Sequence, residues 1–212
     1  LAEPTPQEVS TAAGAVTPEV VGEKKKAEVR FADNIKVEAE NEIIEADDLQ
    51  ASHLTSGARN EKHSISHAQP KERNDVASKA QQDKIAAHPD FTLVSEDNSA
   101  YSGAPIVNQS NNVIQGNNRS IGLKKHYQGG GSKYKADLAA NAEKYGYTKE
   151  QVEGMKNPIL VRKIKASDKT AVKLGQYKST DLETGSKERL NPVATSRKLS
   201  PEKRASLARL IF

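Results

Sequence analysis

The stretch "GAPIVNQSNNVIQGNNRSIGLKKHY", residues 103–127, decides the fold of this chain because it joins two strands to a helix. Two short β-prone runs, at 105–107 and 113–114, enclose a polar turn, which is the pattern of a β-hairpin. The second run ends at Gly116, and a basic helical segment follows that we expect to begin near Ser120. The feature to explain is therefore a glycine-centred turn between a strand and a helix.

The residue types of this turn suit a phosphate group. Free amides at the N-terminus of a helix favour an anion, and Gly116 lets the backbone turn sharply and approach a ligand closely. Arg119 can hold a phosphate with a bidentate fork, and Asn117 and Asn118 tolerate left-handed backbone and donate amide hydrogens. Ser120 can cap the helix or donate a hydrogen bond. Gly-Asn-Asn is also an ordinary turn sequence, so the residues alone leave both interpretations open.

Two further segments have the texture of strands. From Val29 to Leu49 apolar and polar residues alternate, which predicts one or two strands. The run "NPILVRKI", residues 157–164, predicts another. Between them, residues 52–68 are polar and predict a loop.

Three further segments predict helices. One follows Pro70 and ends before Pro89, and its weak apolar face consists of positions 76, 80, 84 and 87. The second lies after the glycine-rich break at 128–132, with helical spacing of Tyr134, Leu138, Ala142 and Tyr145 and a stop at Gly146. A last helix starts at Ser200-Pro201. The order of elements predicts an α+β fold, a small mixed sheet with flanking helices.

Composition bounds the function. The chain has 212 residues and a net charge of +4, which permits nucleic acid or nucleotide binding without requiring it. Only 35 % of the residues are apolar and 4 % aromatic, so we expect part of the chain to lie outside a packed core. The absence of cysteine excludes disulfides, zinc-thiolate sites and thiol catalysis. No apolar run approaches the roughly 18 residues that a membrane span needs.

The chain divides into a low-complexity tail or linker at 1–28, rich in Pro, Ala, Thr, Glu and Lys, and a domain at 29–212. It begins at Leu1 and stops within a helical pattern, so we expect a piece of a longer polypeptide. The tail is a candidate contact for other proteins.

The hairpin, the Gly116 turn and the helix resemble the "GxxR" core of the ParB/sulfiredoxin-like superfamily. More closely, they resemble the ParB-like domain of phage defence-against-restriction (DdrB-like) polyvalent proteins. Further elements match that pattern in the same order: the motifs are "ADDL" at 46–49 with "SH" at 52–53, "QPKER" at 69–73, and "GAPIV" at 103–107. The resemblance covers residues 29–212 and implies a ParB-like fold.

The resemblance implies that the turn binds DNA phosphate or a nucleotide, CTP or ATP, together with Mg²⁺. ParB proteins of chromosome segregation bind CTP with two arginines in this turn, and only Arg119 matches here. Asn118 stands where the family usually has Gly or Ser, which puts a tight phosphate turn in doubt. Sulfiredoxin chemistry needs a cysteine in the turn, and the chain has none.

A second set of residues is expected near the turn, some by resemblance and some by charge. Lys124, with Lys125 and His126, extends the basic face beside Arg119 or simply solvates a helix. Glu188 resembles a ligand for a divalent ion that bridges phosphates. The remaining candidates are Gln69, Arg73, Arg189, Asn191 and Arg197.

The function expected from this resemblance is a phosphate-binding module of a phage or mobile-element protein, in the bacterial cytoplasm or the virion, that protects or processes DNA. The alternatives are a non-catalytic structural or virion-packaged protein that keeps the fold, and a toxin or effector domain. Catalysis and its residues stay undetermined, as does a metal site. His53, His63 and His67 lie ten and four residues apart in a polar loop, which is a weak pattern for a histidine metal site.

Overall fold

The computed structural model describes residues 25–31, 35–65 and 73–176. Five strands form one mixed sheet in the order β1-β2-β5-β3-β4. The strands are β1 (Lys26–Arg30), β2 (Lys36–Glu45), β3 (Ile106–Val107), β4 (Val113–Gln115) and β5 (Pro158–Ile164). The helices are α1 (Val76–Ala87), α2 (Asn117–Gln128), α3 (Lys133–Ala140), α4 (Lys149–Gly154) and α5 (Asp168–Gln176). The expected α+β fold, a small mixed sheet with flanking helices, is confirmed.

The strand β5 lies at the centre of the sheet, and this position accounts for its largely apolar sequence. It pairs antiparallel with β2 on one side and parallel with β3 on the other. A strand enclosed in this way is buried on both faces, and six of the seven residues of β5 are buried. Two hydrophobic clusters cover the sheet, one including residues of α3 and α4 and the other including residues of α5.

Several boundaries differ from those expected. The strand β1 begins at Lys26, inside the segment 1–28 assigned to the tail, because residues 26–30 pair with β2. The helix α5 was not foreseen. The expected last helix, from Ser200, lies outside the described residues. No helix within the described ranges is long and apolar enough to cross a membrane.

The face predicted for α1 was wrong. Val76 is 86 % exposed, whereas Ser78 and Gln82 are buried. The reason is that α1 packs closely on α2 at Gly122, where an added Cβ would lie 2.8 Å from the Cβ of Ile85. Gly122 allows this close approach, and the residues of α1 that it buries are the polar Ser78 and Gln82, which a search for apolar spacing does not detect.

Candidate functional site

The turn after β4 is tighter than the sequence indicated. Gly116 has a φ of +94° and is the N-cap of α2, so the helix begins at Asn117, three residues before the predicted start. The amide of Ser120 donates to the Gly116 carbonyl at 2.9 Å, which closes the first helical turn. The hydroxyl of Ser120 donates to the same carbonyl at 3.1 Å. Asn117, Asn118 and Arg119 therefore form the first turn of the helix.

The two asparagines brace this helix start on opposite sides. The Asn117 side-chain oxygen accepts the amide of Ser52 at 2.6 Å, while its Nδ2 is buried without a partner in the described part of the chain. Asn118 turns toward α1, where Nδ2 donates to Gln81 at 2.8 Å and Oδ1 accepts from Gln82 at 3.1 Å. Because Asn118 is directed at α1, its side chain does not fill the turn.

Arg119 folds back beneath Gly116. A Cβ added to Gly116 would lie 2.6 Å from Nη2 of Arg119, so the glycine leaves the space that the guanidinium occupies. The side chain is buried, with the residue only 6 % exposed. Its Nη2 donates to the Ala100 carbonyl at 3.2 Å, and its Nε is buried without an acceptor among the described residues.

A second buried arginine, Arg162 on β5, lies close enough for its charge to act on Arg119. Burial, and secondly the charge of Arg162, lower the pKa of the Arg119 guanidinium below its ordinary value, and Asp97 acts in the opposite sense. The Asp97 carboxylate accepts hydrogen bonds from the Ser99 amide at 2.8 Å and the Ser102 hydroxyl at 2.5 Å. It forms no ion pair with either arginine in the described part of the chain.

Arg162 was not recognised from the sequence. Its guanidinium donates five hydrogen bonds, of 2.5 to 2.9 Å, to four main-chain carbonyls of one loop. The carbonyls are those of Asp97, Ser99, Ser102 and Ala104. This loop also carries the Ala100 carbonyl that accepts from Arg119. Arg162 therefore positions Arg119 indirectly, through the loop. The only sequence signal was a pair of charged residues, Arg162 and Lys163, inside a strand whose other residues are apolar.

A cleft of about 270 Å³ opens on Arg119. One wall is a face of α1 that carries Gln81, Lys84 and His88, and the other comes from residues 90–102. Leu93, Val94 and Tyr101 give this second wall an apolar lining. The lining therefore combines two cationic side chains, Arg119 and Lys84, with apolar ones.

The three residues expected to extend a basic face beside Arg119 each have another partner in the described part of the chain. Lys124 donates to the Leu49 carbonyl at 2.6 Å, Lys125 forms an ion pair with Asp83 at 2.8 Å, and His126 is buried with Nδ1 2.8 Å from the Ala86 carbonyl. The geometry of the helix explains the result for the two lysines. Each residue advances about 100°, so Lys124 and Lys125 project roughly 140° and 120° away from Arg119, whereas His126 lies on the same side of α2 about two turns further along.

Of the remaining candidate residues, Arg73 lies within the described ranges and the others do not. Arg73 is half-buried before α1, its carbonyl accepts from Gln82 at 2.9 Å, and burial lowers the pKa of its guanidinium. The other expected residues lie outside the described ranges, namely Gln69, Glu188, Arg189, Asn191 and Arg197.

Two of the three histidines considered as metal ligands are described, and both are buried and hydrogen-bonded within the fold. His63 is buried with Nε2 3.0 Å from the Val113 carbonyl, and His53 is buried with Nδ1 3.0 Å from the Ser52 hydroxyl. His67 lies outside the described ranges. Within those ranges, no three His, Cys, Asp or Glu side chains come together as a metal site.

Comparison with known proteins places these elements in a family. No curated protein and no solved structure matches the chain at a significant level. A family model, that of the ddrB-like ParB superfamily domain, matches residues 32–165, more than half of the chain. The matched segment contains the hairpin, the Gly116 turn, Arg119 and Arg162. The chain therefore belongs to the ddrB-like ParB superfamily domain family.

Proposed function

We propose that this domain binds the phosphate groups of a nucleotide at the start of α2, with Arg119 as the principal cation. The observation that carries the proposal is a buried guanidinium that is nearly unsatisfied. Arg119 uses one carbonyl as an acceptor, leaves Nε without one among the described residues, and has no described carboxylate as an ion-pair partner. A buried charge without a partner is unfavourable, and an anionic ligand would supply the missing partner.

The helix start adds donors at the same place. The first amides of a helix have no acceptor within it and favour a negative charge. The buried Nδ2 of Asn117 is a further donor without a partner in the described part of the chain. Together these donors resemble the arrangement by which helix starts bind phosphate.

Burial favours a small ligand over duplex DNA. Asn117, Asn118, Arg119 and Ser120 are all buried, so a ligand must enter the domain to reach the turn. A terminal phosphate of a nucleotide can do so, whereas a backbone phosphate of a duplex is held at the surface of a wide rod. The apolar wall of the neighbouring cleft suits the base of such a nucleotide.

Magnesium would have to be held mainly by the nucleotide. Asp97 is the carboxylate whose charge acts on the buried arginines. Both of its oxygens accept hydrogen bonds from its own loop. Mg²⁺ commonly uses substrate phosphates and few protein carboxylates, so the described residues are compatible with a metal that arrives with the nucleotide. Glu188 remains a proposed ligand outside the described ranges.

The family match supports a proposal for the wider role. We propose that the domain serves a phage or mobile-element protein that protects or processes DNA, in the bacterial cytoplasm or in the virion, with nucleotide binding as its local activity. Contact with other phage proteins through residues 1–28 belongs to the same proposal.

The proposal is tested by calorimetric titration with CTP, ATP and a short DNA duplex, with and without Mg²⁺. We expect one nucleotide to bind the wild-type chain and Arg119→Ala to weaken it at least about tenfold, the effect of losing a charge-assisted hydrogen bond. Arg59→Ala removes an exposed arginine and is the matched control, so its affinity should be unchanged. Two results would contradict the proposal: no nucleotide binding by the wild type, or an equal loss of nucleotide affinity in both variants. Either result would favour a structural protein that keeps the fold without binding a nucleotide.

A further inference from the structure

A second cavity, which we call the loop pocket, lies beside the C-terminal half of α2. It is lined by residues of the 46–60 segment, by the second half of α2 and by Lys156 and Asn157, and its volume is about 490 Å³. It is larger than the cleft at Arg119, of about 270 Å³. Its size lies in the range of roughly 300–1,000 Å³ typical of small-molecule sites. Neither the sequence nor the family match assigns it a role.

One wall of the loop pocket is a loop that folds back on itself. The amide of Leu54 donates to the Ala58 carbonyl at 2.8 Å, and the amide of Asn60 donates to the Ser52 carbonyl at 3.0 Å. The side chain of Asn60 also donates to the Ala51 carbonyl at 2.8 Å. These bonds fix the loop without any ligand.

The opposite wall is fixed by side chains of the sheet and of α2. The Glu45 carboxylate accepts the amides of Lys156 and Asn157, both at 2.8 Å. The Tyr127 hydroxyl donates to the Pro158 carbonyl at 2.6 Å, which ties α2 to the start of β5. Because both walls are held in place, a ligand would bind with little cost of ordering the pocket.

The charges in the loop pocket are not balanced internally. Lys124 is half-buried, and its Nζ donates to the Leu49 carbonyl at 2.6 Å. Burial lowers the pKa of this ammonium, while Asp47 and Asp48 act in the opposite sense. Neither Lys124 nor Lys156 forms an ion pair with a carboxylate within the described ranges. Two ammonium groups and the single carboxylate of Asp47 thus share the lining.

We propose that the loop pocket binds a small phosphate monoester that carries hydroxyl groups. Lysine holds phosphate as a compact point charge, so Lys124 and Lys156 would flank the phosphate. The Asp47 carboxylate can accept a hydrogen bond from a ligand hydroxyl, and the amides of Gln128 and Asn157 can donate to or accept from such groups. The role is binding alone, with no bond made or broken.

Glycerol 3-phosphate is the probe, titrated into the full chain by calorimetry and followed by amide chemical shifts. We expect saturable binding with the largest shifts in the 53–60 loop. Lys124→Met should weaken binding at least about tenfold, since it removes a charge-assisted hydrogen bond. Lys156→Gln, at an exposed residue whose side chain supports no described contact of the fold, should weaken it in the same direction. Lys79→Met, on the exposed face of α1, is the matched control and should bind as the wild type does.

Three outcomes at the loop pocket would overturn the proposal, and a fourth comes from the Arg119→Ala variant. The first is an absence of saturable binding, and the second is equal weakening by Lys79→Met, which would indicate general attraction to positive charge. The third is that glycerol binds as tightly as its phosphate. Arg119→Ala separates this pocket from the start of α2, because it should leave glycerol 3-phosphate binding intact. Loss of binding in that variant, with shifts confined to 116–120, would assign the ligand to the helix start instead.

Discussion

Two buried arginines, Arg119 and Arg162, are held in opposite ways. The guanidinium of Arg162 donates to four carbonyls of the 97–104 loop through five hydrogen bonds. Arg119 donates to one carbonyl of the same loop, and its Nε has no acceptor in the described part of the chain. Both residues are almost wholly buried. Burial alone therefore does not say what a charged side chain does.

The difference separates a structural arginine from a binding one. A guanidinium whose donors are satisfied by the main chain stabilises the loop that surrounds it. A guanidinium with spare donors adds a cost to folding that only a ligand removes. The comparison indicates that Arg162 stabilises the loop, and it supports the proposal that Arg119 binds an anion.

The largest effect is expected for Arg162→Leu. The substitution removes five hydrogen bonds and takes the donor from the buried Ala104 carbonyl and from three partly buried ones, so we expect the free energy of unfolding to fall by about 3 kcal/mol or more. Urea denaturation measures it. Arg30→Leu, at an exposed arginine of β1, is the control and should change stability by no more than about 0.5 kcal/mol. Similar losses in the two variants would mean that the bonds of Arg162 contribute little.

A smaller loss is expected for Gly116→Ala, where two effects add. The left-handed backbone costs about 1–2 kcal/mol for any residue with a Cβ, and the Arg119 guanidinium must also move. Gly130→Ala is a matched control, since Gly130 also has a positive φ, of +77°, with no atom near its added Cβ. In an Arg119→Met background the excess cost of Gly116→Ala should disappear. An excess that persists would show that Arg119 is not the group displaced.

Arg119→Met should change stability least among these arginine and glycine variants. It removes one hydrogen bond and an unpaired buried charge, so we expect the free energy of unfolding to change by about 1 kcal/mol or less, in either direction. Thermal and urea denaturation measure it beside Arg162→Leu. A loss as large as that of Arg162→Leu would remove the distinction between the two arginines.

The comparison of buried basic side chains can be extended to His63, whose imidazole is neutral or charged depending on the pH. Burial, opposed by its bond to Val113 and aided by the charges of His53 and Arg59, lowers the pKa of His63. Its contribution to stability is therefore present above the ordinary histidine pKa and is lost as the pH falls through the lower folded value. Stability measured between pH 7 and pH 5 should fall more steeply for wild type than for His63→Gln. His88→Gln, at an exposed histidine, should leave the slope unchanged.

Local chemistry made much of the fold predictable. The hairpin and the helix that follows it were expected because their turn residues lie next to one another in sequence. The strand β5 was expected because five of its seven residues, all except Arg162 and Lys163, are apolar. The start of α2 was placed three residues late because the two asparagines after Gly116 favour turns over helices, and the left-handed Gly116 starts the helix regardless of them.

Contacts distant in sequence were the part that could not be predicted. Arg162 donates to carbonyls, which every residue carries, so its partners leave no mark on the sequence. The buried face of α1 was missed because Gln82 reaches Asn118 of α2 at 3.1 Å, a polar contact across 36 positions. The direction of Lys124 depends on where α2 lies relative to the 46–60 segment, which no local pattern records.

The hydrogen bond from the Ser52 amide to Asn117 has a consequence for measurement. Its 2.6 Å length joins a surface loop to the first residue of a helix 65 positions away. The exchange rate of that one amide proton with deuterated solvent therefore reports whether the helix start is closed. A ligand that orders the start of α2 should slow amide exchange at Ser52 without contacting that residue. The Ser52 amide proton is therefore a probe of ligand binding at the helix start.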